Sequence, residues 1–142
     1  MSGYQAGLKR TGADYLGAVE DIQRFSRKMA TWYQRGNYHL LLSPTLSVPP
    51  FKLGSFKPGP DDPMRGFKAS DAFIALTYIE NMTGQPAMSV PLFWNDDNIP
   101  IGVQFAAPFG DEATLFRLAA QLEQARPWAD RRPPVHCSNP KL

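Results

Sequence analysis

Few side chains in this sequence could act as a nucleophile or a general base. Cys137 stands beside His136, but neighbours in an extended segment point to opposite sides, whereas a reactive thiolate needs an imidazole within hydrogen-bond reach. Three lysines, Lys52, Lys57 and Lys68, occur near serines. A Ser–Lys pair requires a buried lysine, and these three are predicted to be solvated. We therefore predict no catalytic residue in this chain and an inert cysteine.

Metal and nucleotide sites are not predicted either. Two histidines and one cysteine are too few, and wrongly spaced, for a zinc site. The sequence contains no G-x-S-x-G elbow, no G-x-x-x-x-G-K-[ST] loop and no G-x-G-x-x-G run, so hydrolase and nucleotide-binding hypotheses based on those motifs fail. We expect neither a metal nor a cofactor.

The composition predicts one domain with a hydrophobic core, since the chain has 142 residues and 43% hydrophobic content. The net charge of +2 is too small and too scattered to favour a nucleic acid or a membrane surface as partner. The single cysteine excludes an internal disulfide, and neither an apolar run of about 18 residues nor a charged-then-apolar leader is present. A cytoplasmic location is the expectation.

The most informative stretch, residues 80–107, predicts a β-hairpin. Apolar runs at 87–93 and 101–107 flank a turn-forming cluster at 95–98. Alternation divides the second run into an apolar face of Ile101, Val103 and Phe105 and a small, polar face of Gly102, Gln104 and Ala106. The small face predicts that another segment closely approaches the backbone there.

A glycine and three prolines are expected to mark the ends of the helix and strands in this region. Gly84 can take the left-handed conformation that ends a helix, and Pro86 prevents the helix from continuing. Pro91 and Pro100 are expected at the inner ends of the hairpin, where a missing N–H costs least.

A long amphipathic helix is predicted from Ala13 to the stop signal at Gly36 and Asn37. Its expected core stripe consists of Tyr15, Leu16, Val19, Ile22, Phe25, Met29, Trp32 and Tyr33. Residues 1–12 and 135–142 are expected to be flexible tails.

A short buried strand is predicted at residues 38–42, followed by a long loop at 47–63. Residues 43–60 would either line a substrate pocket or form a surface excursion, and the sequence leaves both alternatives open.

Two further helices are predicted. Ser70 or Asp71 caps one that runs to about Asn81, and residues 109–112 open the last, after which Trp128 folds back over the core. Their expected buried sides are Phe73, Ile74, Thr77 and Tyr78 for the first, and Leu115, Phe116, Leu118, Ala119 and Leu122 for the second.

Two motifs lie in the hairpin region: residues 81–91 read Asn-x-Thr-Gly-x-Pro-Ala-x-Ser-Val-Pro, and residues 99–105 read x-Pro-x-Gly-Val-Gln-Phe. These motifs resemble the C-terminal signature region of the amidase-signature family of hydrolases. Upstream, residues 40–45 resemble the family's strand ending in Pro-Thr, and downstream, residues 110–128 resemble its last helix and tail. The resemblance spans most of the chain, which would be one partial amidase domain.

This resemblance implies an α/β fold, the C-terminal part of the amidase-signature fold with a mixed β-sheet covered by helices. The positions that match the structural signature are Gly84, Pro86, Pro91, Gly102 and Gln104. Family members hydrolyse carboxylic amide C–N bonds through an acyl-enzyme, using a serine nucleophile, a second serine in a cis peptide and a lysine. This chain has no Ser-Ser or Gly-Gly dipeptide, so none of the three can be assigned to it.

The resemblance therefore implies a C-terminal segment of an amide hydrolase without its catalytic centre. Pro44, Thr45 and Asn81 are candidates for the wall of the substrate pocket. Implied partners are an amide small molecule and the missing N-terminal portion, with a homo-oligomer as a further option. The alternatives are a noncatalytic binding module or subunit that completes a separately encoded amidase half, and a small independent hydrolase, which lacks a visible nucleophile.

Overall fold

The computed structural model describes residues 3–132 and 136–137, which form an α/β arrangement. The helices are α1 (Gly3–Gly7), α2 (Gly12–Gly36), α3 (Arg65–Ile74), α4 (Tyr78–Thr83) and α5 (Glu112–Ala125), and the strands are β1 (Leu41–Pro44), β2 (Ala87–Trp94) and β3 (Pro100–Ala106). A 3₁₀ turn, Ala75–Thr77, joins α3 to α4. None of the described helices combines the length and apolar character that a membrane crossing requires. The predicted fold class is confirmed.

The strands form one sheet in the order β1-β3-β2, with both pairings antiparallel. The predicted hairpin is β2 and β3, and its turn is closed by Asn95, whose side chain accepts hydrogen bonds from the backbone N–H groups of Asp97 and Ile99. A parallel pairing of the expected mixed sheet would therefore have to involve a strand other than these three.

Pro91 lies inside β2 and not at the inner end of the hairpin, so that prediction was wrong. The register between β2 and β3 shifts between Val90 and Phe93, which forms a β-bulge. A bulge leaves a residue unpaired, and proline is tolerated there because it has no N–H to donate. Pro100 is the first residue of β3, as expected.

Helix α5 covers one face of the sheet. Val90, Phe105, Ala107 and Leu115 form the buried cluster, and Trp128 packs against it, as predicted. Phe116 was expected on the same face but is 74% exposed, because it follows Leu115 and therefore lies about 100° further around the helix.

Both ends of α2 lie within a residue of their predicted positions. Thr11 caps the first turn, since its hydroxyl accepts from the backbone N–H of Asp14 while the Asp14 carboxylate accepts from the backbone N–H of Thr11. The backbone N–H and the hydroxyl of Thr11 both donate to the Asp14 carboxylate, and because they favour its charged form they lower the pKa of Asp14. Asn37 ends the helix in the left-handed conformation, with φ 49°.

Half of the expected core stripe of α2 is exposed: Tyr15, Leu16, Ile22 and Trp32 are exposed, and Val19, Phe25 and Met29 are half-buried. Tyr33 is 2% exposed, but Tyr15 and Leu16 are 69% and 67% exposed. A helix of 25 residues is about 37 Å long, whereas the eight residues of β2 span about 26 Å. Because α2 contacts the sheet near its C-terminal end, its N-terminal half extends beyond the described core.

Two predicted boundaries were also wrong. The strand expected at 38–42 is β1, displaced to Leu41–Pro44, because Tyr38 folds back onto Gly36 and stacks on Trp32 with ring centroids 4.5 Å apart. The helix expected from residue 70 or 71 begins earlier and is divided by the 3₁₀ turn, which leaves Tyr78 partly exposed.

The tails stay a prediction. Residues 1–12 include α1, and residues 135–142 lie largely outside the described residues.

The left-handed conformation of Gly84 yields a testable contrast with Gly17. Gly84 ends α4 with φ 71°, whereas Gly17 lies inside α2 with open space around the position of a Cβ. Gly84→Ala should lower the free energy of unfolding by about 1 kcal/mol, because a Cβ is strained at positive φ. Gly17→Ala should raise it by about 0.5–1 kcal/mol, since alanine favours the helix interior. Urea unfolding measures both changes, and equal signs would contradict the assignment of the α4 end.

Candidate functional site

A mostly apolar cleft of about 380 Å³ opens where the end of β1 meets the start of β3. It is lined by residues 44–50 and 100–102, which include four prolines. The Thr45 and Ser47 hydroxyls supply polar groups in this lining. An apolar concavity with a few placed hydrogen-bonding groups is the usual form of a small-molecule site.

A pair of hydroxyls lies at one side of the cleft. The Oγ1 of Thr45 and the Oγ of Ser89 are 2.6 Å apart, and the backbone N–H of Thr45 donates to the Gly102 carbonyl. A Cβ on residue 102 would lie 2.7 Å from both hydroxyl oxygens. The missing side chain of Gly102 therefore creates the space in which the two hydroxyls meet, which is the close approach that the small face of β3 predicts.

The loop between β1 and α3 is attached to the rest of the molecule. The rings of Phe51 and Phe56 lie 5.3 and 5.9 Å from that of Phe73 of α3 between centroids, and the Phe56 carbonyl lies where a side chain on Gly66 would be. The hydrogen bond from Lys68 to Asp62 lowers the pKa of the Asp62 carboxyl and ties the loop to the start of α3. The first part of the loop, residues 44–50, lines the cleft, whereas Phe51, Phe56 and Asp62 contact α3 and most of the residues between them are exposed.

Hydrogen bonds connect the polar face of β3 and the segment before β2 to their neighbours. The Gln104 amide, 6% exposed, donates to the Glu80 carboxylate of α4 at 3.1 Å. The Gln85 amide donates to the Ala107 carbonyl and accepts from the Thr83 hydroxyl. These bonds fix α4 against the sheet, so the end of α4 cannot shift without leaving a buried amide unsatisfied.

The Tyr33 hydroxyl anchors α2 to the same face by donating to the Ala106 carbonyl at 3.2 Å. Burial raises the pKa of Tyr33 above its ordinary value of 10.0, and the nearby Glu80 carboxylate adds to the rise because it opposes a second negative charge.

The structure brings two of the three pocket candidates together. Pro44 and Thr45 both line the cleft, whereas Asn81 is an exposed residue of α4 and is not part of that lining. Among the signature positions, Gly84 caps α4, the Pro86 carbonyl accepts from the Ala107 N–H, and Gly102 is part of the cleft lining. Their roles toward a substrate stay predictions.

Ser89 and Glu80 were not identified from the sequence as parts of this arrangement. Ser89 lies 44 residues from Thr45, and its position beside the cleft depends on the register that places it opposite Gln104. The signal that could have located Ser89 is the pairing of the first hairpin strand with the small face of the second, which places Ser89 opposite Gln104. No group of three or more histidine, cysteine, aspartate or glutamate side chains within the described ranges is placed to hold a metal ion.

The family model named Amidase matches residues 2–116. The chain belongs to this amidase family.

The chain is similar to the 6-aminohexanoate-cyclic-dimer hydrolase of Paenarthrobacter ureafaciens, with 34% identity over 128 residues that cover 87% of this chain and 26% of the relative. The enzyme of the same name from Pseudomonas sp. (strain NK87) gives the same values. A solved structure of 6-aminohexanoate cyclic dimer hydrolase complexed with substrate superposes with a TM-score of 0.81 and 32% identity, covering 89% of this chain and 27% of that chain. The chain thus spans about a quarter of these relatives.

Adding a methyl group at Gly102 should disrupt the hydroxyl pair. Gly102→Ala should lower the free energy of unfolding by about 1–3 kcal/mol, because the new Cβ overlaps both hydroxyl oxygens. The loss should be smaller when Thr45→Ala and Ser89→Ala are also present, since the overlapping atoms are then gone. Urea unfolding of all variants measures this coupling, and purely additive effects would contradict the contact at Gly102.

The raised pKa of Tyr33 predicts a loss of stability at high pH. The unfolded chain releases the Tyr33 proton near pH 10 while the folded chain retains it. This contribution is therefore fully present below pH 10 and is lost as pH rises towards the folded pKa. Tyr33→Phe should lower the free energy of unfolding by about 1 kcal/mol at neutral pH and flatten its decline at high pH. An unchanged pH profile in the variant would contradict the assignment.

Proposed function

We propose that this chain is the C-terminal segment of an amide hydrolase and forms one partial amidase domain. The observation that carries the proposal is the superposition on a quarter of a solved hydrolase, with a TM-score of 0.81 at 32% identity. Agreement of backbone and sequence over 89% of this chain supports a shared role in the domain. The substrate would be a small molecule with a carboxylic amide C–N bond.

The catalytic centre would lie in the remainder of the amidase domain. The family uses a serine nucleophile, a second serine in a cis peptide and a lysine, and this sequence has no Ser-Ser dipeptide. In such a domain the nucleophilic serine attacks the amide carbonyl, the amine leaves, and water hydrolyses the acyl-enzyme. We expect this chain alone to be inactive.

The contribution of this chain would be a wall of the substrate pocket. Thr45 and Ser89 each carry one hydroxyl proton, and the bond between them uses only one of the two. The pair can therefore donate one proton to a substrate carbonyl and accept from an amide N–H. Pro44 and its apolar neighbours would exclude water from that side of the amide.

The alternative is a noncatalytic binding module or a subunit that completes a separately encoded amidase half. Exposed apolar surface is typical of proteins that bind a partner, which favours this alternative. The large exposed apolar side chains include Tyr15 and Leu16 on α2 and Leu42 on β1. A homo-oligomer would cover the same surface. The cytoplasmic location stays a prediction.

Co-expression tests the proposal. The chain is produced with the portion of the Paenarthrobacter hydrolase to which it does not align, and hydrolysis of the 6-aminohexanoate cyclic dimer and of a chromogenic anilide is measured. We expect no activity from either part alone and hydrolysis from the pair. A stable complex without hydrolysis of either amide would contradict the enzymatic proposal and favour the binding module.

Thr45→Val in the active pair tests the pocket wall with little change in shape. Loss of one neutral hydrogen bond should lower kcat/KM about three- to tenfold. Thr31→Val is the matched control: among the described residues the Thr31 hydroxyl donates within α2, to the Arg27 carbonyl, so its loss should leave kcat/KM unchanged. Equal effects of the two substitutions on kcat/KM would contradict the role of Thr45 in the pocket wall.

A further inference from the structure

The charges of α2 are divided between its two halves. Residues 12–22 contain three acids and no base, and residues 23–36 contain four bases and no acid. In chain order the seven are Asp14, Glu20, Asp21, Arg24, Arg27, Lys28 and Arg35. Acids near the N-terminus of a helix and bases near its C-terminus complement the helix dipole, but this effect is confined to the first and last turns. It does not account for the five charges at residues 20–28.

Four of these residues form a charged row along one side of α2. Asp14, Asp21, Lys28 and Arg35 follow one another at intervals of seven residues, which is nearly two turns of an α-helix. The charged row extends over about 32 Å of the helix. All four residues are exposed, and from the N-terminus the row reads acid, acid, base, base.

The charged row faces away from the sheet. Helix α2 contacts the sheet through Tyr33, whose hydroxyl donates to the Ala106 carbonyl. At about 100° per residue, Lys28 and Arg35 lie about 140° and 160° around the helix from Tyr33. Segments that cover the apolar stripe of α2 would therefore leave the charged row exposed.

The two acids of the row can accept further bonds. Thr11 donates twice to Asp14, and both bonds end on Oδ2, which leaves Oδ1 available. Asp21 contacts Arg24 at 3.7 Å through Oδ1, but its side chain is 76% exposed.

The two bases of the row have no counter-charge in the part of the chain that the structure describes. Neither Lys28 nor Arg35 forms an ion pair with a carboxylate among the described residues. Both line a shallow concavity of about 700 Å³ that also includes the stacked rings of Trp32 and Tyr38. Such a surface is complementary to an acidic one.

We infer that α2 pairs antiparallel with α2 of a second copy of this chain, about a two-fold axis between residues 24 and 25. In that arrangement Asp14 lies opposite Arg35 of the second copy, and Asp21 lies opposite Lys28 of the second copy. The axis repeats both pairs, which gives four ion pairs and a closed interface. Parallel pairing would instead place like charges opposite each other.

A second copy fits this surface better than an unrelated acidic protein, because the acids it supplies have the same seven-residue spacing as the bases they meet. The inference does not depend on amide hydrolysis, so the result of the co-expression experiment neither supports nor contradicts it.

The salt dependence of self-association tests the inference on the unsubstituted chain. Exposed ion pairs are screened by salt, so the dimer Kd should rise at least about tenfold between about 0.05 M and about 0.5 M NaCl. Sedimentation equilibrium measures this Kd. Association through exposed apolar side chains such as Leu16 would not weaken with added salt.

Charge reversal tests the register. Asp21→Lys and Lys28→Asp should each raise the dimer Kd at least about tenfold, because each turns two attractive pairs into repulsive ones. The double variant exchanges the charges within each pair and should restore the Kd to within about threefold of the original value. Glu123→Lys is the matched control, since it makes the same change in net charge at an exposed position of α5 and should leave the Kd unchanged.

Every outcome of these measurements decides the inference. A salt-sensitive dimer that the single reversals weaken and the double variant restores supports it. A chain that stays monomeric, an association that salt does not weaken, or a double variant as weak as the single ones overturns it. If a reversal variant fails to fold, as judged by circular dichroism, the salt dependence of the unsubstituted chain decides.

Discussion

The pairing of β3 with a strand on each side is the constraint on which the rest of this structure depends. Because side chains alternate along β3, Phe105 packs in the core beneath α5, while Gln104 on the other face donates a hydrogen bond to Glu80 of α4. The Ala106 carbonyl holds α2 through Tyr33. A shift of one residue in this register would exchange the two faces and separate the helices from their partners.

The same constraint makes the cleft. Thr45 and Ser89 come from strands on opposite sides of β3, and they meet only because residue 102 between them has no side chain. Glycine is required at position 102 because a Cβ there would overlap the two hydroxyls, not because the backbone needs an unusual conformation. Any role of the hydroxyl pair toward an amide depends on this one position.

The sequence predicted the parts of the fold whose signals are local. Alternating side chains and turn residues located the β2–β3 hairpin, and the spacing of apolar residues together with Gly36 and Asn37 located α2. The position of β1 was displaced because Tyr38 folds back onto Trp32, a contact that no periodicity reveals. Pro44 and Thr45, predicted as pocket candidates, both line the cleft, and their role toward a substrate stays a prediction. Ser89 was not among the candidates because its place depends on pairing between distant segments.

The predictions of burial failed in one direction, and that direction is informative. Tyr15, Leu16, Phe116 and Leu42 lie on apolar patterns that normally face a core, yet each is more than half exposed. If the patterns had simply been misread, polar side chains without hydrogen-bond partners would also be buried. The buried polar side chains, Gln85 and Gln104, instead have hydrogen-bond partners. These four apolar side chains therefore have little cover among the described residues. A chain that matches about a quarter of its relatives would carry such a surface if its helices and β1 are shaped for the remaining three quarters.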